Sequence, residues 1–156
     1  MACEIERKYL VADKSFLELA EYSRKLKQGY MTDVNADGTV FRIRIADDKA
    51  FLTIKGKQKG ISRAEFEYSV PVEDAQVMLA AMCGSRVVEK TRYYLHYGDF
   101  LWEVDVFEGR HEGLIVAEIE LESEDAEFPL PPFAGKEVTN DFKYSNFSLS
   151  MSEKPV

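Results

Sequence analysis

Charged residues in this chain recur in pairs separated by a single residue. Glu4-x-Glu6-x-Lys8, Arg42-x-Arg44, Glu65-x-Glu67, Lys90-x-Arg92, Glu103-x-Asp105 and Glu118-x-Glu120-x-Glu122 all show it, and Lys55 stands two residues after Thr53. In an extended chain, residues two apart point to the same face. The residues between them are Ile5, Arg7, Ile43, Phe66, Thr91, Val104, Ile119 and Leu121, and of these only Arg7 is charged. The types suit one chemistry. Arginine forks match phosphate oxygens two at a time, and lysine supplies a compact point charge. Carboxylates without a histidine or cysteine constellation offer hard oxygens, which suit Mg²⁺ or Mn²⁺ that also touch a bound phosphate.

For any single strand, a solvated charged face over a packed apolar face is the plain reading. Taken together, the strands favour another. An open surface sheet has little use for Arg-x-Arg, Lys-x-Arg and repeated Glu-x-Glu. Closing the sheet turns the charges inward around a wet lumen and leaves the apolar faces outside, under helices. Inward charges must then pair or bind ligands, because uncompensated buried charge is costly. Lys8, Arg42, Arg44, Lys55, Lys90 and Arg92 supply the cations, and Glu4, Glu6, Glu65, Glu67, Asp105, Glu118 and Glu120 the anions. With one or two divalent ions, those cations match a linear triphosphate better than a monophosphate.

The elements that must position these residues follow from local signals. After a first strand over residues 4–10, Asp13 can cap a helix over 14–27, in which Phe16, Leu19, Ala20, Ser23 and Leu26 keep helical spacing. A strand over 29–33 and a turn over 35–38 lead to strands at 39–46 and 50–55, joined by Asp47-Asp48-Lys49. Further strands are expected at Ser62–Val70, Val87–Tyr97, Phe100–Phe107 and 114–123, and a helix at 73–82 closed by Gly84. Pro129, Pro131 and Pro132 exclude regular structure around them, and a short helix is expected over 141–148. The hairpins make the sheet chiefly antiparallel, and eight or so strands with two or three helices point to an α+β fold.

The 156 residues fit one domain spanning 1–156. A net charge of −8 argues against a nucleic-acid-coating surface, without excluding a small polyanion. Cys3 and Cys83 form no disulfide framework or metal spacing, and His96 and His111 read as surface or loop residues. No apolar run approaches a membrane span and the N-terminus lacks signal-peptide character, so a cytoplasmic location is expected. A homodimer is compatible with the sequence.

The Glu4-x-Glu6-x-Lys8 stretch resembles the signature of the CYTH superfamily, the triphosphate tunnel metalloenzymes. Gln28-Gly29-Tyr30, Arg42-x-Arg44, Thr53-Ile54-Lys55-Gly56, Glu65-x-Glu67, Lys90-x-Arg92, Glu103-x-Asp105, Glu118-x-Glu120 and Glu137-Val138-Thr139 with Tyr144-Ser145-Asn146 extend the resemblance over nearly the whole chain. It implies an eight-stranded antiparallel β-barrel, a tunnel with a charged interior and helices packed outside, and a metal-dependent hydrolase of linear triphosphates, with Mg²⁺ or Mn²⁺ as cofactor. It implies that Lys8, Arg42, Arg44, Lys55, Lys90 and Arg92 clamp the substrate. Glu4, Glu6, Glu118 and Glu120, helped by Asp105, would hold the metal, with Glu65 and Glu67 in support. Lys8 and Tyr30 match the Lys–Tyr pair that handles the attacking water in short bacterial members. The bland alternative for Tyr30 is a packed strand tyrosine with a satisfied hydroxyl. The compact chain favours tripolyphosphate, cleaved to pyrophosphate and phosphate, with a nucleoside triphosphatase side activity. The alternatives are a class IV adenylate cyclase, a thiamine triphosphatase and a non-catalytic polyphosphate-binding module.

Overall fold

The computed structural model describes residues 3–31 and 38–156. Its strands are β1 (Cys3–Val11), β2 (Tyr22–Tyr30), β3 (Val40–Ala46), β4 (Lys49–Lys55), β5 (Ser62–Val70), β6 (Val87–Tyr97), β7 (Phe100–Phe107), β8 (Ile115–Glu120) and β9 (Ala134–Glu137). The helices are α1 (Phe16–Leu19), α2 (Val72–Met82) and α3 (Asn146–Met151). The strands run in the order β5-β4-β3-β2-β6-β7-β8-β1, and a further pairing of β5 with β1 closes the ring. This is the expected eight-stranded antiparallel barrel, with β9 added on β1.

Every pairing is antiparallel, and period-two alternation decides which face turns in. The main apolar core lies outside the barrel. Tyr9, Trp102, Val104, Ala117 and Ile119 project outward from β1, β7 and β8, under Phe16 of α1 and Phe133 of the proline-rich segment. Phe16 meets Tyr93 and Phe133 edge-on, with ring centroids 5.6 Å and 6.1 Å apart. A second cluster seats α2 on the outer faces of β3 and β4, through Ala75, Leu79 and Cys83 against Ile43 and Ala50. A third lies inside. Leu10, Val88, Phe107 and Val116, which continue the inward register of β1, β6, β7 and β8, meet Leu149 of α3 and fill one end of the lumen.

The long helix expected over 14–27 does not form. Asp13 instead accepts a hydrogen bond from the Ser15 amide at 2.8 Å, and only the single turn α1 follows. The helical spacing of Phe16, Leu19 and Leu26 coexists with a strand alternation, Arg24, Leu26, Gln28 and Tyr30 against Lys25, Lys27 and Gly29. Two ladders, to β3 and to β6, satisfy the backbone along that alternation, so tertiary pairing overrides a weak local preference. The expected short helix over 141–148 is split into a 3-10 turn (Phe142–Tyr144) and α3. The turn expected at Asn35, Ala36 and Asp37, and the end of the strand leading to it, lie outside the described residues. β9 carries no strand signal, because Ala134-Gly135-Lys136-Glu137 lacks β-branched and aromatic residues.

Gly29 shows how tightly α2 is laid on the barrel. A Cβ there would stand 2.7 Å from Cys83 Sγ and 2.9 Å from Leu79 Cδ2, so only glycine fits under the helix. Gly29→Ala is expected to destabilise the protein by roughly 1–3 kcal/mol, as overpacking does. A thermal melt checks this, at about 2–4 °C per kcal/mol for a chain of this size.

Candidate active site

The register assembles the lumen wall. Lys8 on β1 stands opposite Glu118 on β8, and Glu6 opposite Glu120. Arg92 on β6 faces Asp105 on β7, while Lys55 on β4 faces Glu65 on β5. Tyr30 on β2 lies across from Arg42 on β3, and Gln28 across from Arg44. The lumen holds a cavity of about 610 Å³, lined by every residue singled out from the sequence except Lys90 and Asp105.

Those two lie behind the wall. Lys90 is fully buried and donates to Asp105 at 2.6 Å and to Asn146 Oδ1 at 2.8 Å. Arg92 adds two hydrogen bonds to Asp105, at 2.7 Å and 2.9 Å. Burial opposes the Asp105 charge, but Arg92 and Lys90 outweigh it and hold the carboxyl far below its ordinary range. Burial pulls Lys90 down to about 7, while Asp105 opposes the fall; at 2.6 Å from a carboxylate we read Lys90 as an ammonium. With three donors already on it, Asp105 braces the two cations and is not open as a metal ligand. Lys90 stands behind the wall that Arg92 presents to the cavity.

The exposed lumen is separated by charge. On one side stand Glu4, Glu6, Glu118 and Glu120. Lys55 donates to Glu4 at 2.8 Å and lies 3.4 Å from Glu65; Lys8 lies 3.5 Å from Glu118. For Glu118, burial acts against the charge, but Lys8 leads the contributions that bring it down to about 2. Burial likewise works against the Lys8 ammonium, and Glu118, Glu6 and Asp105 more than restore it. For Glu6, burial, then the Glu118 and Glu4 charges, outweigh Lys8 and Lys55 and push it up to about 8. This side is short of positive charge.

The opposite side is short of negative charge. Arg42 reaches Thr53 Oγ1 at 3.1 Å and Glu67 at 3.4 Å, yet its buried Nε has no partner among the described residues. Arg44 has no carboxylate partner among the described residues; its Nε donates to the Gln28 amide oxygen at 2.9 Å. Burial, then Arg42 and Arg92, lower Arg44 to about 10. An arginine brought that low calls for an anion. Between the two sides stands Tyr30, buried, its ring 5.4 Å from Phe147 and its hydroxyl accepting from Gln28 Nε2 at 3.1 Å.

Among the described residues, no three acidic, histidine or cysteine side chains form a ready metal cage. The donor set still fits a hard divalent ion. Mg²⁺ characteristically takes one or two carboxylates and completes its octahedron with water and substrate oxygens, and a cation bound here would offset the Glu118 and Glu4 charges that help to push Glu6 up.

Gln28, Thr53, Glu103 and Asn146 were not singled out as site residues. Thr53 donates to Glu67 at 2.8 Å, and Glu103 pairs with Arg92 at 3.2 Å. Glu103 was legible from its spacing with Asp105. Gln28 and Asn146, uncharged, gave no electrostatic signal. His111 lies in a loop, as one of the two expected placements had it, but is buried there, with its Nε2 against Leu149 O at 2.8 Å; Arg110 beside it ties the same loop to the carbonyls of Val87 and Ser150. His96 is exposed and pairs with Glu21.

A closed antiparallel barrel whose interior divides acceptors for a cation from donors for a polyanion defines a family, and the match is direct: the CYTH domain covers residues 2–150, and the chain belongs to that family. The chain is 44% identical to an inorganic triphosphatase of Acetivibrio thermocellus over 149 residues, 96% of this chain and 94% of the relative. It is 40% identical to an inorganic triphosphatase of Nitrosomonas europaea over 152 residues, 96% of this chain and 97% of the other. The crystal structure of an inorganic triphosphatase superposes with a TM-score of 0.72 at 38% identity, covering 99% of this chain and 98% of that one.

Glu6 gives a pH prediction with a definite sign. Its folded pKa, raised from 4.5 to about 8, makes the folded state hold a proton that the unfolded state releases near 4.5. The stability this contributes is complete below about 4.5 and is lost as pH rises through about 8. Without divalent metal, Glu6→Gln should therefore melt higher than wild type at pH 9, and show no such advantage at pH 4. Parallel melts at the two pH values check it; an equal shift at both would contradict the assignment.

Proposed function

We propose that this chain hydrolyses linear triphosphates, with tripolyphosphate cleaved to pyrophosphate and phosphate as the main reaction. The division of the lumen into a cation-poor carboxylate side and an anion-poor guanidinium side carries this reading. A triphosphate with a divalent ion fills both deficits at once. The compact barrel leaves little room for a dedicated base-recognition domain, which favours the inorganic substrate over a nucleotide.

Arg42, Arg44 and Arg92 take the non-bridging phosphate oxygens, with Lys8 and Lys55 reaching the chain from the carboxylate side. On binding, Lys55 and Lys8 exchange part of their pairing with Glu4 and Glu118 for phosphate. Those carboxylates, with Glu6 and Glu120, are thereby freed to hold Mg²⁺ or Mn²⁺; Glu65 and Glu67 steady Lys55 and Arg42. The ion supplies charge neutralisation on the phosphate oxygens. Water attacks the terminal phosphorus, a new P–O bond forms, and the bond to the bridging oxygen breaks. Pyrophosphate leaves with the electron pair. Tyr30, beside the Lys8 ammonium, takes the proton of the attacking water as it gives up its own hydroxyl proton to solvent in the lumen. Positioning and electrostatics supply most of the rate, as in phosphoryl transfer generally. A reducing compartment such as the cytoplasm suits the two free cysteines, and no helix among the described residues is long and apolar enough to cross a membrane.

The test is product analysis with Mg²⁺ or Mn²⁺ and tripolyphosphate, ATP or thiamine triphosphate. Pyrophosphate and phosphate from tripolyphosphate, at the highest kcat/KM of the three, are expected. Glu4→Ala should abolish turnover, Arg44→Ala should lower kcat/KM by roughly 10- to 100-fold, and Tyr30→Phe should lower kcat by about 100-fold or more. Cyclic AMP as the main product from ATP would contradict the reading.

A further inference from the structure

Gln28 is fully buried, directly opposite Arg44 on the neighbouring strand and two residues before Tyr30 on the same inward face. Arg44 Nε donates to Gln28 Oε1 at 2.9 Å, and Gln28 Nε2 donates to the Tyr30 hydroxyl oxygen at 3.1 Å. The orientation of this amide is fixed by chemistry. A guanidinium N–H has only a proton to offer, so the amide atom facing it must be the carbonyl oxygen. The opposite end of the amide is then the NH₂, which has only protons to offer Tyr30. The Tyr30 oxygen must accept from Gln28, and its own proton must point elsewhere.

The ring leaves few directions for that proton. Phe147 packs against the Tyr30 ring near-perpendicular, at 81°, and lines the same lumen. With the Gln28 amide on one side of the hydroxyl oxygen, the other side faces the lumen that Tyr30 lines together with Lys8. Arg44 loses little by holding the amide. Its guanidinium carries five N–H donors, so Nε can stay on Gln28 while the terminal nitrogens face phosphate.

We propose that Gln28 is a positioning residue for Tyr30: its amide, locked by Arg44, turns the exchangeable proton of the tyrosine toward the lumen, where the attacking water is handled. The proposal rests on the role given to Tyr30 above. It also ties substrate capture to chemistry, because the arginine that meets the phosphate chain sets the direction of the tyrosine. When Tyr30 exchanges its proton, the Gln28 NH₂ remains hydrogen-bonded to the oxygen throughout.

The test uses Gln28→Glu, a near-isosteric change that reverses one end of the relay. A carboxylate still accepts from Arg44, but it has only lone pairs for Tyr30, so the hydroxyl must donate to it and turn away from the lumen. Steady-state kinetics on tripolyphosphate are measured for Gln28→Glu, Tyr30→Phe and the double variant, with a melting curve for each. The expected result is a kcat roughly 10- to 100-fold below wild type for Gln28→Glu, with KM also raised because the added carboxylate takes part of the Arg44 charge from the phosphate. Combined with Tyr30→Phe, Gln28→Glu should cost almost nothing further in kcat, because no hydroxyl is left to orient. Undiminished kcat in Gln28→Glu, or the same fold-loss with and without the Tyr30 hydroxyl, would overturn the proposal. Full turnover in Tyr30→Phe would remove the role of Tyr30 and this inference together, whereas an impaired Tyr30→Phe beside an unimpaired Gln28→Glu overturns this inference alone. Should Gln28→Glu fail to fold, Gln28→Met, similar in length and without polar ends, must show the same non-additivity with Tyr30→Phe.

Discussion

Buried charge that the chain cannot neutralise by itself is the constraint on which this structure depends. A closed barrel removes sheet edges, yet it also commits every inward residue to a confined space. Here that space is filled with ionisable groups, and the protein pairs only some of them. Asp105 is met by Lys90 and Arg92, Glu4 by Lys55 and Glu118 by Lys8. Glu6 and Arg44 are left in opposite deficit, one pushed up to about 8 and the other down to about 10. A fold that keeps such groups uncompensated sacrifices stability for a site that a cation and a polyanion complete together.

The rest of the architecture makes that imbalance sustainable. The apolar core is displaced to the outside of the barrel, where α1, α2 and the proline-rich segment cover it. Inside, Leu10, Val88, Phe107, Val116 and Leu149 fill one end, so the charged cavity occupies only part of the barrel's length. Lys90 and Asp105 form a layer between the two: they are ionic but screened from the cavity, and they fix Arg92 from behind. Lys90 also reaches Asn146 at the start of α3, which couples the wall of the site to the helix that fills the end.

Much of this was legible in the sequence because a strand has a period of two and charge is easily seen at that period. Glu4-x-Glu6-x-Lys8, Arg42-x-Arg44 and Glu118-x-Glu120 declared their common face directly, and a closed sheet followed from the number of such faces. β2 was hidden, because Phe16, Leu19 and Leu26 also satisfy a helical spacing; only pairing with β3 and β6 reveals the alternation of Leu26, Gln28 and Tyr30. β9 was hidden because its strand character comes from its neighbour and none of it from its own side chains. The layering of the lumen was out of reach for a similar reason. Spacing tells which face a residue is on, whereas what covers it there, Arg92 laid across Asp105 and Asn146 set on Lys90, depends on contacts between distant elements. Gln28 carries no charge, and its importance appears only once Arg44 and Tyr30 are seen at its two ends.

The most direct measurement is a crystal structure with imidotriphosphate, which resists hydrolysis, and Mn²⁺ located by its anomalous scattering. The predicted result is one phosphate chain inside the barrel, its oxygens on Arg42, Arg44 and Arg92, with Mn²⁺ between the chain and the carboxylates of Glu4, Glu6, Glu118 and Glu120. A phosphate chain bound outside the barrel, or a metal on the Arg42–Arg44 side of the lumen, would contradict it.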